Sequence, residues 1–398
     1  MLRSYAVLPR KTGSTILVLS RQVHDIVKLP ATNEVVVQKG PGGRSSVSGH
    51  TATVLGCTGF LGRYVVNNLG SSSFGIVALC MHMSGKTGTQ VVTPYRGTDD
   101  DRRHLRLMGD LGQIVPLAEN FEQRFDIRNE DAIRESVRHS DVVYNLIGKD
   151  FKTKNFTFEQ VHIEGAARIA RICKEEGVSK LIHVSALNAD ENSNSHFLRT
   201  KALGEKAVKE EFPGATIVRP GTMYGHEDRF WNRLGWFVKW LPGGIPILNG
   251  GKTRIRPTYV GDVAHVLAKL EKDDRTVGKV VELYGPKEYY YASLVEFFLD
   301  VTRRDLAGIY VPKFFAKTVA AILDKGMATP IIAPDEVERL YVDDKPTSGA
   351  LTFADFNVKP HTVEEQIIRF AGLYRAHEFQ RAPYETIVRK YTTEDVKL

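Results

Sequence analysis

Residues 51–70 read TATVLGCTGFLGRYVVNNLG. The apolar run Thr53–Leu55 leads into glycines at Gly56, Gly59 and Gly62. A run with helical spacing follows: Phe60, Leu61, Tyr64, Val65, Val66 and Leu69. Strand, tight glycine turn and helix in that order form the first βα unit of a dinucleotide-binding fold. One glycine lets the chain turn sharply off the strand, one lets backbone approach a pyrophosphate, and one lets the helix pack close to the sheet. The helix N-terminus then offers free N–H groups and a partial positive charge to the phosphates. A ligand held this way would meet Gly56, Thr58, Gly59, Phe60, Leu61 and Gly62. The spacing is Gly-x-x-Gly-x-x-Gly, not the commoner Gly-x-Gly-x-x-Gly.

The chain has 398 residues, enough for one large domain or two smaller ones with ample core. Composition is that of an ordinary globular protein, 42% hydrophobic and 25% charged. The net charge of +7 is mildly basic, but no Lys/Arg run is dense enough for a nucleic-acid stripe. Cys57, Cys80 and Cys173 have no metal-ligand spacing and are expected as free thiols. From Met1 to His24 there is no acidic residue, while Arg3, Arg10, Lys11 and Arg21 stand among Ser, Thr and apolar residues. That is the composition of a mitochondrial presequence, expected over 1–24 with a cut site as late as about residue 40. A secretory signal is the rival, because Thr15–Leu19 is apolar, but the run is short and lacks a small-residue cleavage site. No apolar stretch is long enough to cross a bilayer, so any membrane contact is peripheral.

Residues 25–49 read as an extended lead-in. Two stretches compete for the second strand, Ile76–Met81 and Gln90–Pro94. The second is chosen because it ends in Tyr95-Arg96-Gly97, which makes residues 71–88 an insertion. Strands then alternate with helices: Ile114–Leu117, a helix capped by Asn129, Asp141–Ile147, the helix Phe158–Glu176, Lys180–Ser185, the helix Phe197–Glu211, and Ala215–Arg219. This alternation argues for an α/β fold, a Rossmann-like doubly wound parallel sheet over residues 49–221. A smaller mixed C-terminal subdomain is expected over 222–398. There, Phe230–Trp240 reads as an aromatic helix whose tryptophans, Trp231, Trp236 and Trp240, belong to the small core. Pro312–Lys325 reads as a helix with Phe314, Phe315, Val319, Ile322 and Leu323 on one side. That side either packs on its own domain or meets a partner protein or anionic lipid.

Several segments together resemble the short-chain dehydrogenase/reductase superfamily in its extended or atypical branch. They are the glycine turn, Asp126 in Phe125-Asp126-Ile127-Arg128, Asn145-Leu146-Ile147-Gly148, His183-Val184-Ser185, Phe197-x-x-x-Lys201 and Arg219-Pro220-Gly221. The resemblance implies that Asp126 contacts adenine, that Leu146, Ile147, Gly148 and Pro220 line the cofactor, and that Ser185 and Lys201 stand in the active site. It also implies a catalytic tyrosine where this chain has Phe197. A phenyl ring carries no ionisable proton, so the usual general acid/base is missing, a loss of roughly 10²–10⁴-fold in rate.

A closer resemblance covers nearly the whole chain after the presequence. It rests on Gly42–Gly49, Pro94-Tyr95-Arg96-Gly97, Arg103-His104-Leu105, Met108–Gly112, Thr153–Phe156 and Gly225–Phe230. These look like the dehydrogenase-like accessory subunits of mitochondrial respiratory complex I. That resemblance implies a tightly held NADPH that is not turned over. It also implies a peripheral place on the matrix side of the inner membrane, beside other subunits of the matrix arm near the quinone and membrane modules, with a role in assembly and stability. Arg96, at the end of the chosen second strand, would pair with the 2′-phosphate. Two alternatives stand beside it. One is an active NADP-dependent reductase or epimerase using another acid. The other is an RNA-binding relative, for which no aromatic and basic stacking platform is visible.

Overall fold

The computed structural model describes residues 24–28, 35–39, 50–70, 88–109, 112–117, 125–241, 244–304, 306, 308–327 and 329–375. The expected presequence up to Val23, the stretch 71–87 with Cys80, and the tail from residue 376 lie outside them. Within the expected lead-in, His24–Lys28 and Val35–Lys39 form an antiparallel pair, which the extended reading did not anticipate.

Seven parallel strands make the central sheet: β1 (Thr51–Leu55), β2 (Gln90–Pro94), β3 (Ile114–Leu117), β4 (Val142–Asn145), β5 (Lys180–Val184), β6 (Thr216–Pro220) and β7 (Val280–Leu283). Their order is β7-β6-β5-β4-β1-β2-β3. The stretch Gln90–Pro94 is therefore a sheet strand, with Gln90 beside Thr51 of β1. The chain starts in the middle, moves outward through β2 and β3, and returns to the other side of β1 with β4. The reversal between β1 and β4 opens a crevice at the carboxyl ends of the strands, where ligands of such sheets bind.

Period-two alternation divides the strand residues between two apolar layers. Val54, Tyr144, Ile182 and Val218 face one layer, with Val65, Val66 and Leu69 of α1 (Phe60–Gly70). Their neighbours Leu55, Val143, Leu181 and Ile217 face the other, with Ile133, Ile169, Ile172 and Val208. These last belong to α3 (Glu130–Val137), α4 (Gly165–Glu175) and α5 (His196–Glu211). The short helix α2 (Asp99–Arg106) lies between β2 and β3; Thr98 caps it, with the Asp101 carboxylate accepting from the Thr98 N–H at 2.9 Å. The helix expected over Phe158–Glu176 opens with a π turn, Gln160–Glu164, ahead of α4.

Beyond residue 221 the chain serves two bodies. α6 (Phe230–Trp240) and α8 (Tyr291–Thr302) build a second core with Val363, Ile367 and Phe370. Trp231 stacks on Phe298 within it at 5.5 Å, whereas Trp240 is exposed. Between these helices, α7 (Val260–Leu270) and β7 return to the first layer. α9 (Lys313–Gly326) presents Phe314, Phe315, Val319 and Ile322 outward, and only its Ala320 is buried.

Candidate functional site

A cleft of about 410 Å³ lies at the carboxyl ends of β1, β4, β5 and β6. Of the expected site residues it brings together Gly56, Gly59, Phe60, Leu61, Gly62, Leu146, Gly148, Ser185, Lys201 and Pro220. Thr58, Arg96, Asp126 and Ile147 are not in its lining. The Thr58 carbonyl accepts from the Arg63 Nε at 3.3 Å. Ile147 packs into the apolar layer with Leu55 and Val143. The Asp126 carboxylate accepts from the Arg128 N–H at 2.9 Å. Arg96 is exposed, its guanidinium 5.4 Å from the centre of the Phe156 ring. Arg128 lies on the same ring at 4.1 Å.

The glycine turn is built to bring chain segments together. Gly56 has φ +86°, a conformation that L side chains rarely adopt, and a Cβ there would sit 3.2 Å from the Leu146 carbonyl carbon. At Gly62 a Cβ would come within 2.3 Å of the Gly56 oxygen, so this glycine sets how closely α1 approaches the turn. Gly59 is the more tolerant, at 3.2 Å from the same oxygen. The first turn of α1 holds no acidic residue to repel a phosphate.

At the other end of the cleft α5 presents Phe197 and, one turn on, Lys201. Lys201 is buried and donates from Nζ to the Val184 carbonyl at 3.1 Å. Burial pulls its pKa from 10.5 down to about 8, against the opposing charges of Asp150 and Glu205. Its Nζ would sit 3.1 Å from a Cβ placed on Gly148, so a side chain there would press on the lysine's tip. The Ser185 hydroxyl is buried without a hydrogen-bond partner, an acceptor and donor ready for a polar ligand atom. Phe197 is buried edge-on against His162, with ring centres 5.3 Å apart. The His162 Nε2 accepts from the Lys149 N–H at 3.3 Å and Nδ1 bonds the Thr200 hydroxyl at 3.0 Å. Burial first, then the Lys201 charge, holds this imidazole neutral, its pKa well below 6.5.

No tyrosine, histidine or cysteine lines the cleft among the described residues. Tyr224 is buried in the second core, its hydroxyl reaching the His361 carbonyl at 3.5 Å. Its carboxylates are Asp150, Glu227, Glu336 and Asp344. Among the described residues no cluster of His, Cys, Asp and Glu is placed to hold a metal. No helix there is long and apolar enough to cross a membrane. Taken together, a glycine cradle at one end and an orphaned hydroxyl beside a buried ammonium at the other fit a dinucleotide. Sequence reasoning missed the wall contributed by Glu336, Arg339, Leu340, Val342 and Asp344, which lies more than a hundred residues beyond the fold's diagnostic motifs.

Comparison with known proteins agrees with this architecture. Residues 52–283 match the model of the NAD dependent epimerase/dehydratase family. The NADH-ubiquinone oxidoreductase 40 kDa subunit, mitochondrial, of Neurospora crassa is 40% identical over 378 residues, 95% of this chain and 93% of that protein. The NADH dehydrogenase [ubiquinone] 1 alpha subcomplex subunit 9, mitochondrial, of Rattus norvegicus is 38% identical, covering 89% of this chain and 88% of its own. Among solved structures, an NADPH-dependent quinone oxidoreductase from Escherichia coli complexed with NADPH has the same fold. Its TM-score is 0.58 at 17% identity, over 79% of this chain and 97% of that one. The chain belongs to the NAD dependent epimerase/dehydratase family and, within it, to the mitochondrial complex I subunits represented by the 40 kDa subunit and alpha subcomplex subunit 9.

Proposed function

We propose that this chain is a non-catalytic accessory subunit of mitochondrial complex I that holds NADPH as a fixed structural ligand. The observation that carries the reading is Phe197, an aprotic ring in the catalytic position, beside an intact glycine cradle and Lys201. Gly56, Thr58, Gly59, Phe60, Leu61 and Gly62 would hold the pyrophosphate, and Asp126, Leu146, Ile147, Gly148, Ser185, Lys201 and Pro220 the rest of the nucleotide. When bound, the nucleotide would tie the turn after β1 to the ends of β4, β5 and β6. Arg96 would receive the 2′-phosphate; nothing acidic occupies the end of β2 itself, which favours NADP over NAD.

The mitochondrial relatives support a presequence over 1–24 and a place on the matrix side of the inner membrane. In this reading residues 49–221, with α7 and β7 completing their sheet layer, carry most of the nucleotide site, and the rest of 222–398 closes one wall of the cleft and faces partner subunits and the membrane surface. The outward apolar side of α9 supports that assignment.

The competing reading, an active NADP-dependent reductase or epimerase, draws on Asp150 and Glu227 as substitute acids in the cleft. Incubating the purified chain with NADPH and a panel of aldehydes and ketones separates the two. The expected result is bound nucleotide without consumption. Steady NADPH oxidation that disappears in Lys201→Ala would establish the enzyme instead.

A further inference from the structure

One wall of the cleft comes from residues 333–345, which follow α9 and include α10 (Pro334–Arg339). This segment is fastened to the site at several points. The Asp335 carboxylate accepts from the Ser195 hydroxyl at 2.9 Å and from the His196 and Phe197 N–H groups at 2.6 and 3.2 Å. It thereby caps the helix that carries Phe197 and Lys201. Arg339 lays its guanidinium 4.3 Å from the centre of the Phe197 ring and donates to the Asp150 carbonyl at 3.0 Å. Glu336 pairs with the buried Arg233 of α6. Asp344 accepts from the Asn188 side chain at 2.9 Å, in the loop after β5.

These contacts place a cation against the one ring that a carbonyl substrate would have to approach. They also join the loops after β4 and β5 and the start of α5, so the segment spans the cleft's substrate end. We propose that residues 333–345 form a strap, clamped by Arg339 on Phe197, that excludes substrates from the Phe197–Lys201 end and slows exchange of the bound nucleotide. Cation-on-ring stacking is favourable when desolvated, and the fastenings share one short segment, so release requires several to break together. The inference rests on the reading of the cleft as a dinucleotide site.

The test uses the purified full chain loaded with NADPH. Release is followed as the loss of NADPH fluorescence after addition of excess NADP⁺. Arg339→Ala removes the ring contact and the Asp150 bond, and should speed release at least tenfold. Arg339→Met keeps an unbranched stem against Phe197 and serves if the alanine variant does not fold; it should give an intermediate rate. Amide hydrogen exchange in α10 should quicken together with release. Release within twofold of the unaltered protein in whichever variants fold would overturn the strap. An unaltered chain that takes up no NADPH in a direct titration would instead overturn the nucleotide reading beneath it.

Discussion

Lys201 shows what this cleft costs the fold. An ammonium buried with a single carbonyl acceptor is held against desolvation, and its pKa falls from 10.5 to about 8. Between those values the unfolded chain binds the proton and the folded one does not, so stability rises with pH across that window. Below about pH 8 the charged lysine carries a penalty of about 3 kcal/mol, from the size of the shift. Lys201→Met should therefore raise the melting temperature of the nucleotide-free protein at pH 7 and abolish the rise in stability between pH 8 and 10. If Lys201 is a nucleotide ligand as proposed, the same variant should also hold less NADPH. Calorimetry across pH, paired with nucleotide titration, reads both effects. A variant that is less stable and binds as before would show Lys201 to be a structural residue only.

At the scale of elements, the π turn before α4 brings His162 under Phe197, against Thr200 of α5. Its folded pKa lies far below the unfolded 6.5, so unfolding takes up a proton and stability falls as pH drops below 6.5. His162→Asn should remove that dependence, making the loss of stability between pH 6 and 5 smaller by about 1 kcal/mol than in the unaltered protein. Urea denaturation at the two pH values measures the difference, and equal slopes would contradict it. Much at this scale was legible beforehand. The glycine turn, the order of strands and helices through residue 220, and the choice of Gln90–Pro94 rest on local signals, which short-range physics writes into adjacent residues. The π turn was not legible, because Gln160–Glu164 keeps helical spacing while its hydrogen bonds shift. Nor was the cleft wall from residues 333–345: the sequence analysis singled out nothing there, and what Asp335 touches lies some 140 residues earlier. Asp126 and Arg96 were read from motif position alone, and neither reaches the cleft lining.

For the whole molecule, two bodies share one chain, and the outer face of α9 is left without cover among the described residues. Phe314, Phe315 and Ile322 are between 63 and 76% exposed, a poor arrangement unless apolar surroundings receive them. Lys313 and Lys317 both pair with Glu338, which steadies the helix with this side outward. If α9 rests on the membrane surface, the purified chain should sediment with vesicles containing cardiolipin, and Phe314→Ser with Phe315→Ser should cut the bound fraction severalfold. Equal sedimentation of the two proteins would assign that face to a partner subunit or to none. The central claim, a resident nucleotide in a complex I subunit, is tested most directly by native purification from mitochondrial membranes. Gel bands are excised and the nucleotide is extracted and identified by mass. The account predicts that the chain comigrates with complex I and that its denaturation releases about one NADPH per chain. Migration apart from complex I, or a chain within it that releases no NADP(H), would contradict it.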